Sequence, residues 1–242
     1  MKRERFLAEM RQNLLLPYEA AYTREIDGEF ENRSEAESFS RFCGLLGEAG
    51  LVLDLACGDG RHSLRLAENA RHVVALDLSP HSLKLAMRKC QGRQNITFVH
   101  GSGFEPPFQA ELFDGIWFSQ AFEYVPPDRR ASFLEAVGRT LRPAGCLYMS
   151  VETWMYPSPW ASLKELCSDF RLFCYWKLVK RKPLLWGEYL WWLPPRWGGP
   201  VWHYHVHTDR WTLRKVLQES GFEILHLDNW NGYFYTLCRR AS

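Results

Sequence analysis

Between Leu51 and Val151 short apolar runs alternate with longer amphipathic ones. The runs LVLDLA, HVVALDL, ITFVHG, FDGIWFS and CLYMSV have the length and the β-branched or aromatic content of strands. RHSLRLAENA, SPHSLKLAMRKC and PDRRASFLEAVGRTL lie between them and read as helices. Such alternation predicts a parallel sheet covered on both faces. Upstream, Phe6, Met10 and Leu14, then Phe39, Phe42, Leu45 and Leu46, recur at helical spacing around the polar stretch TREIDGEFENRSEAES. Residues 1–49 are therefore expected to form a helical cap.

After Val151 the rhythm stops. Residues 152–205 hold eight of the 11 Trp, interspersed with Pro, Lys and Arg, and are expected to form an inserted, aromatic-rich helical lid. Order resumes in TDRWTLRKVLQESG, a helix that Thr208 or Asp209 caps and Gly221 ends. FEILHLDN and YFYTLCRR, parted only by a turn near Trp230–Gly232, should pair as an antiparallel hairpin. The expected fold class is α/β: a doubly wound, Rossmann-like, mostly parallel sheet with an antiparallel last strand. Its core would comprise residues 50–151 and 206–242, interrupted by the lid.

Composition narrows the partners. A net charge of +2 over 242 residues provides no basic field for nucleic acid. The opening MKRERFLAEMRQNLLLPYEAAY is charged and lacks the apolar core and cleavage site of a signal peptide. No apolar run is long enough to span a bilayer. Seven Cys without a C-x-x-C pair indicate neither a disulfide framework nor a zinc site, and are expected to act as small buried hydrophobes in a cytoplasmic protein.

The chemistry gathers around the first predicted strand. Gly58 and Gly60 let the backbone bend sharply and approach a ligand, since neither carries a Cβ. Asp77 closes the next strand about 20 residues on, the interval at which an acid accepts both hydroxyls of a ribose. A dinucleotide fold would place a third glycine at the position of Ser63. Asp54, just before the turn, would repel a pyrophosphate and suits a ligand with an ammonium group. An adenosine joined to an amino acid meets both conditions.

On these residues the chain resembles the class I S-adenosylmethionine-dependent methyltransferases. VLDLACGDG resembles that family's first motif, with Ala56 in place of its commonest first glycine. ALDLSPHSLKLA resembles the second, FVHGSGFEPPF the third with Ser102 where an Asp is usual, and FDGIWFSQAFEYV the fourth. TLRPAGCLYMSV and LRKVLQESGFEIL resemble the later strand and helix motifs. The resemblance covers roughly residues 50–151 and 206–238. It implies S-adenosylmethionine as cofactor: Asp54, Ala56, Cys57, Gly58 and Gly60 around its methionine part, Asp77 and Leu78 at the ribose, and Ser102 and Gly103 at the adenine. Ser119, Gln120 and Tyr124 would lie near methyl transfer, and Tyr18 or Tyr22 would close the site.

An acceptor that must lose a proton needs a general base. His203, His205 and His207 alternate, so on a strand they share one face. Glu123 is the carboxylate candidate, and a metal-free site is expected. The reading is methyl transfer to an oxygen or nitrogen of a small or medium-sized acceptor. Two alternatives stand beside it: a cofactor-binding regulatory scaffold, and a lipid methyltransferase at a membrane surface.

Overall fold

In the computed structural model, residues 2–20, 32–46, 50–193 and 201–241 are described, without the side chains of 13–20, 193 and 201. Five parallel strands follow the apolar runs: β1 (Leu51–Leu55), β2 (His72–Asp77), β3 (Ile96–His100), β4 (Phe113–Phe118) and β5 (Leu141–Glu152). The closing hairpin supplies β8 (Phe222–Trp230) and β9 (Tyr233–Arg240), and β9 runs antiparallel to both β5 and β8. Sheet order is β3-β2-β1-β4-β5-β9-β8, so strand order reverses between β1 and β4. That reversal opens a crevice beyond the carboxyl ends of the strands.

Helices cover both faces. α2 (Arg33–Leu46), α3 (Arg61–Leu66) and α4 (Pro80–Lys89) lie on one side, where Phe39, Phe42 and Leu66 pack on Val52, Val73 and Trp117. Trp117 stacks on Tyr148 with ring centroids 3.6 Å apart. Gly115 lets α2 pack close beside them, because a Cβ there would lie 2.4 Å from the Leu46 side chain and 2.8 Å from the Phe42 ring. α5 (Arg130–Thr140) and α7 (Arg210–Glu219) bury Phe133, Leu134, Leu213 and Leu217 against the other face. Asp209 caps α7, accepting from the N–H groups of Trp211 and Thr212 at 2.9 Å each.

The inserted segment holds the expected helix, α6 (Pro159–Cys174), which runs into a π turn at Tyr175–Val179. It also contains a two-stranded antiparallel ladder, β6 (Glu188–Leu193) with β7 (Val201–Val206), which the aromatic composition did not suggest. α1 (Lys2–Ala20) lays Phe6 and Met10 against Trp176, Leu190 and Tyr204 of this segment. Arg3 binds Asp128 at 2.7 Å and the buried Glu188 at 2.6 Å. α1 and α2 thus pack on different neighbours. No helix among the described residues is long and apolar enough to cross a membrane. Cys57, Cys90, Cys146 and Cys238 are buried as expected, whereas Cys167 is exposed.

Candidate active site

The turn after β1 takes its shape from alternating left-handed residues: Ala56 at φ 58°, Gly58 at 55° and Gly60 at 82°. Ala56 shows that the first position tolerates a Cβ despite its positive φ. A Cβ on Gly60 would lie 2.9 Å from that of Ala86, so α4 requires glycine there, whereas nothing lies within 4 Å of that position on Gly58. The turn is therefore open on its Gly58 side. The Cys57 side chain is buried and packs with Ala75 and Leu83. The Asp77 carboxylate accepts from Gly58 N at 2.9 Å and Ser79 N at 2.8 Å, one bond to each oxygen. Each oxygen keeps a lone pair for a further donor.

Asp54, on β1, is buried and accepts from Ser63 Oγ at 2.5 Å. Burial pushes its carboxyl up to about 6, with His62 and Ser63 opposing the shift. A buried carboxylate in this condition favours a cationic neighbour. Glu35 of α2 lies beside this end of the sheet, fully buried, accepting from Ser119 Oγ at 2.9 Å with His62 Nε2 at 3.4 Å. The sequence reading missed it, because an acid in the first turn of an amphipathic helix ordinarily complements the helix dipole from the surface.

The remaining cofactor candidates are spread along the same edge. The Leu78 carbonyl lies 3.0 Å from His100 Nε2. Ser102 Oγ accepts from Phe104 N at 3.3 Å, and a Cβ on Gly103 would sit 3.1 Å from the Phe133 ring, so Gly103 is held by packing as well. Gln120 follows β4 at φ 52°, and its N–H donates to Ser150 Oγ at 2.7 Å. Tyr22 and the side chain of Tyr18 lie outside the described residues.

The three histidines do share one face, and all are buried. His205 Nδ1 lies 2.6 Å from Glu152 Oε2, and His205 Nε2 lies 3.1 Å from His203 Nδ1. Tyr124 meets both rings edge-on, at centroid distances of 5.5 and 5.0 Å. His207 turns to Asp169 at 2.6 Å and to the Tyr189 hydroxyl at 3.0 Å. Burial pushes the His203 ring down to about 3, aided by His205. For His207 burial opposes the charge, but Asp169 and Glu152 outweigh it and lift the ring to about 9. Glu152 is held below the usual carboxylate range because His205 and His207 overcome its burial. Glu123 is buried too, and burial together with the Glu152 charge raises its carboxyl. Glu165, Asp169 and His207 bring ligating atoms within 4.8 Å of one another, and Asp169 and His207 of this group are hydrogen-bonded.

Glu152, Asp169 and Tyr189 were not singled out from the sequence. Their chemistry is invisible without the insert folded back on β5. All these groups, with the glycine turn and Asp77, lie on the carboxyl edge of the parallel strands, where β1, β4 and β5 end side by side.

Comparison with known proteins agrees with this architecture. Residues 52–145 match the family model described as a methyltransferase domain. A demethylmenaquinone methyltransferase of Clavibacter sepedonicus is 35% identical over 94 residues, which is 39% of this chain and 38% of that protein. The matched stretch thus spans well under half of that relative's length. A SAM-dependent methyltransferase structure from Methanosarcina mazei superposes with a TM-score of 0.68 at 19% identity, over 82% of this chain and 95% of that one. The 1,6-didemethyltoxoflavin-N1-methyltransferase of Burkholderia thailandensis, solved with bound 1,6-didemethyltoxoflavin and S-adenosylhomocysteine, superposes with a TM-score of 0.66 at 17% identity, over 100% of this chain and 92% of that one. Residues 52–145 thus match a methyltransferase domain, and the chain shares its fold with structures of S-adenosylmethionine-dependent methyltransferases.

Proposed function

We propose that this chain transfers the methyl group of S-adenosylmethionine to an oxygen or nitrogen of a small or medium-sized acceptor. The acceptor would lie between the ends of β4 and β5 and the insert, residues 152–205. The observation that carries the reading is the chain Glu152–His205–His203 at the end of β5, on the same sheet edge as the glycine turn.

The crevice fits the cofactor. Asp54 gains a cation for its buried carboxylate, the open side of Gly58 admits the methionine part, and Asp77 keeps acceptor capacity for two ribose hydroxyls. When bound, the sulfonium supplies an electrophilic methyl group. The protein's task is then to align the nucleophile, exclude water and take up a proton.

Hydrogen-bond logic assigns the proton path. His205 Nδ1 faces a carboxylate and carries its hydrogen, so its Nε2 is the position that accepts from His203 Nδ1–H. This leaves the lone pair of His203 on Nε2. A proton taken there releases the Nδ1 proton to His205, and the resulting charge sits beside Glu152. Burial keeps His203 neutral and opposes a charge on its own ring, so the relay works only by passing that charge to His205 beside Glu152. Burial and the Glu152 charge raise the Glu123 carboxyl toward neutral pH, so it stands as the carboxylate alternative to the histidine relay. Trp191 and Tyr124 flank the histidine pair through T-shaped contacts and add aromatic surface beside it.

The names of the relatives support a small-molecule acceptor. The test is transfer of labelled methyl from S-adenosylmethionine to a panel of hydroxylated and amino-bearing aromatics and quinols. Cofactor binding without transfer to any of them would favour the regulatory scaffold.

A further inference from the structure

The inserted segment is polar toward β5 and apolar toward solvent. Along α6, Trp160, Leu163, Cys167 and Phe170 are exposed at intervals of three and four residues, so they form one outward stripe. Trp186 joins this stripe, its ring 6.2 Å from Phe170 and 5.4 Å from Phe173. The π turn extends the apolar surface with Leu178 and Val179, 69% and 67% exposed. Ten of the 16 exposed large hydrophobics among the described residues lie between Trp160 and Trp202, so the surface is local to the insert.

Charge separates the candidate occupants. From Pro159 to Trp186 the exposed charges are Lys164, Arg171, Lys177, Lys180 and Arg181. The acids of that stretch are turned inward: Glu165 is half-buried and Asp169 is buried against His207. The Lys177 and Lys180 ammonium groups lie 5.9 and 5.5 Å over the Phe173 and Tyr175 rings, so cations and aromatics are interleaved. A second copy docked face to face would bring like charges together, which disfavours self-association. Trp and Tyr beside Lys and Arg match the depth profile of a bilayer interface, with rings at headgroup level and cations at lipid phosphates.

We propose that this face of the insert docks peripherally on an anionic lipid bilayer, with Trp160, Leu163, Phe170, Leu178, Val179 and Trp186 entering the interface. The docking does not depend on methyl transfer. Since the inner side of the same segment carries His203 and His205, a docked protein would hold its acceptor site next to the lipid surface.

Flotation of the full chain with phosphatidylcholine vesicles, with and without phosphatidylglycerol, tests the proposal. Binding is expected only to the anionic vesicles and should weaken as salt rises. Leu178→Asp combined with Val179→Asp should lower binding at least tenfold, and Lys164→Glu with Lys180→Glu should abolish the anionic preference. Circular dichroism and a cofactor titration on each variant show that the fold persists, and the titration reads the transferase proposal separately. Absence of flotation, equal binding to neutral and anionic vesicles, or undiminished binding by the aspartate variant would overturn the docking. Concentration-dependent self-association that the aspartate variant removes, without vesicle binding, would instead assign the face to a second copy.

Discussion

His205 and Glu152, 53 residues apart, meet through a 2.6 Å contact between Nδ1 and Oε2. This contact joins the insert to the end of β5 and orients the imidazole that bridges Glu152 and His203. An imidazole held on one nitrogen by a carboxylate presents the other in a defined tautomer.

Replacing His203 with Gln should lower kcat by about 10²-fold or more, the usual size of a general-base contribution. Cofactor affinity should stay within a few-fold. Glu152→Gln should act in the same direction, but it also leaves His207 with one carboxylate fewer and is expected to lower Tm. Steady-state kinetics with a parallel melt separate the two effects. Unchanged kcat in His203→Gln would remove the relay.

Asp77→Ala should weaken S-adenosylmethionine and S-adenosylhomocysteine alike. One charge-assisted bond to a ribose hydroxyl is worth about 1.5–3 kcal/mol, so the loss should be at least roughly 10- to 150-fold in Kd. Isothermal calorimetry reads this directly. Equal affinities in wild type and variant would mean that the ribose is held elsewhere.

Cofactor affinity should depend on Asp54 ionisation. Its carboxyl titrates at about 6, raised chiefly by burial, so only above that pH is the anion available to a ligand ammonium. As pH falls below about 6, Kd should rise by up to tenfold per unit. Asp54→Asn should bind more weakly at neutral pH and lose the dependence. A flat profile for the wild type between pH 4.5 and 7 would contradict this role.

His207 should make stability pH-dependent. Its folded value, about 9, lies above the ordinary 6.5, so protonation favours the fold. The stabilisation is fully present below about 6.5 and disappears as pH rises through 9, on the order of 3 kcal/mol in total. Thermal melts from pH 6 to 10 should show a decline in Tm that His207→Gln lacks. Parallel declines in both proteins would refute the assignment.

The alternating strands and helices, the antiparallel close, the glycine turn and the acid that ends β2 were all legible along the chain. Those features are local: strand and helix periodicity, a positive φ and a fixed distance along one βαβ unit act within a few dozen residues. The same locality made the three histidines legible as one face of a strand. Their partners were not legible, because Glu152, Asp169 and Tyr189 come from a strand end, a helix and another strand whose approach depends on how the insert folds. Glu35 met Ser119 across 84 residues only because α2 packs on β4. The outward stripe of α6 had the same origin. An amphipathic pattern shows that a helix has two faces, but which one is buried depends on what the rest of the chain brings against it.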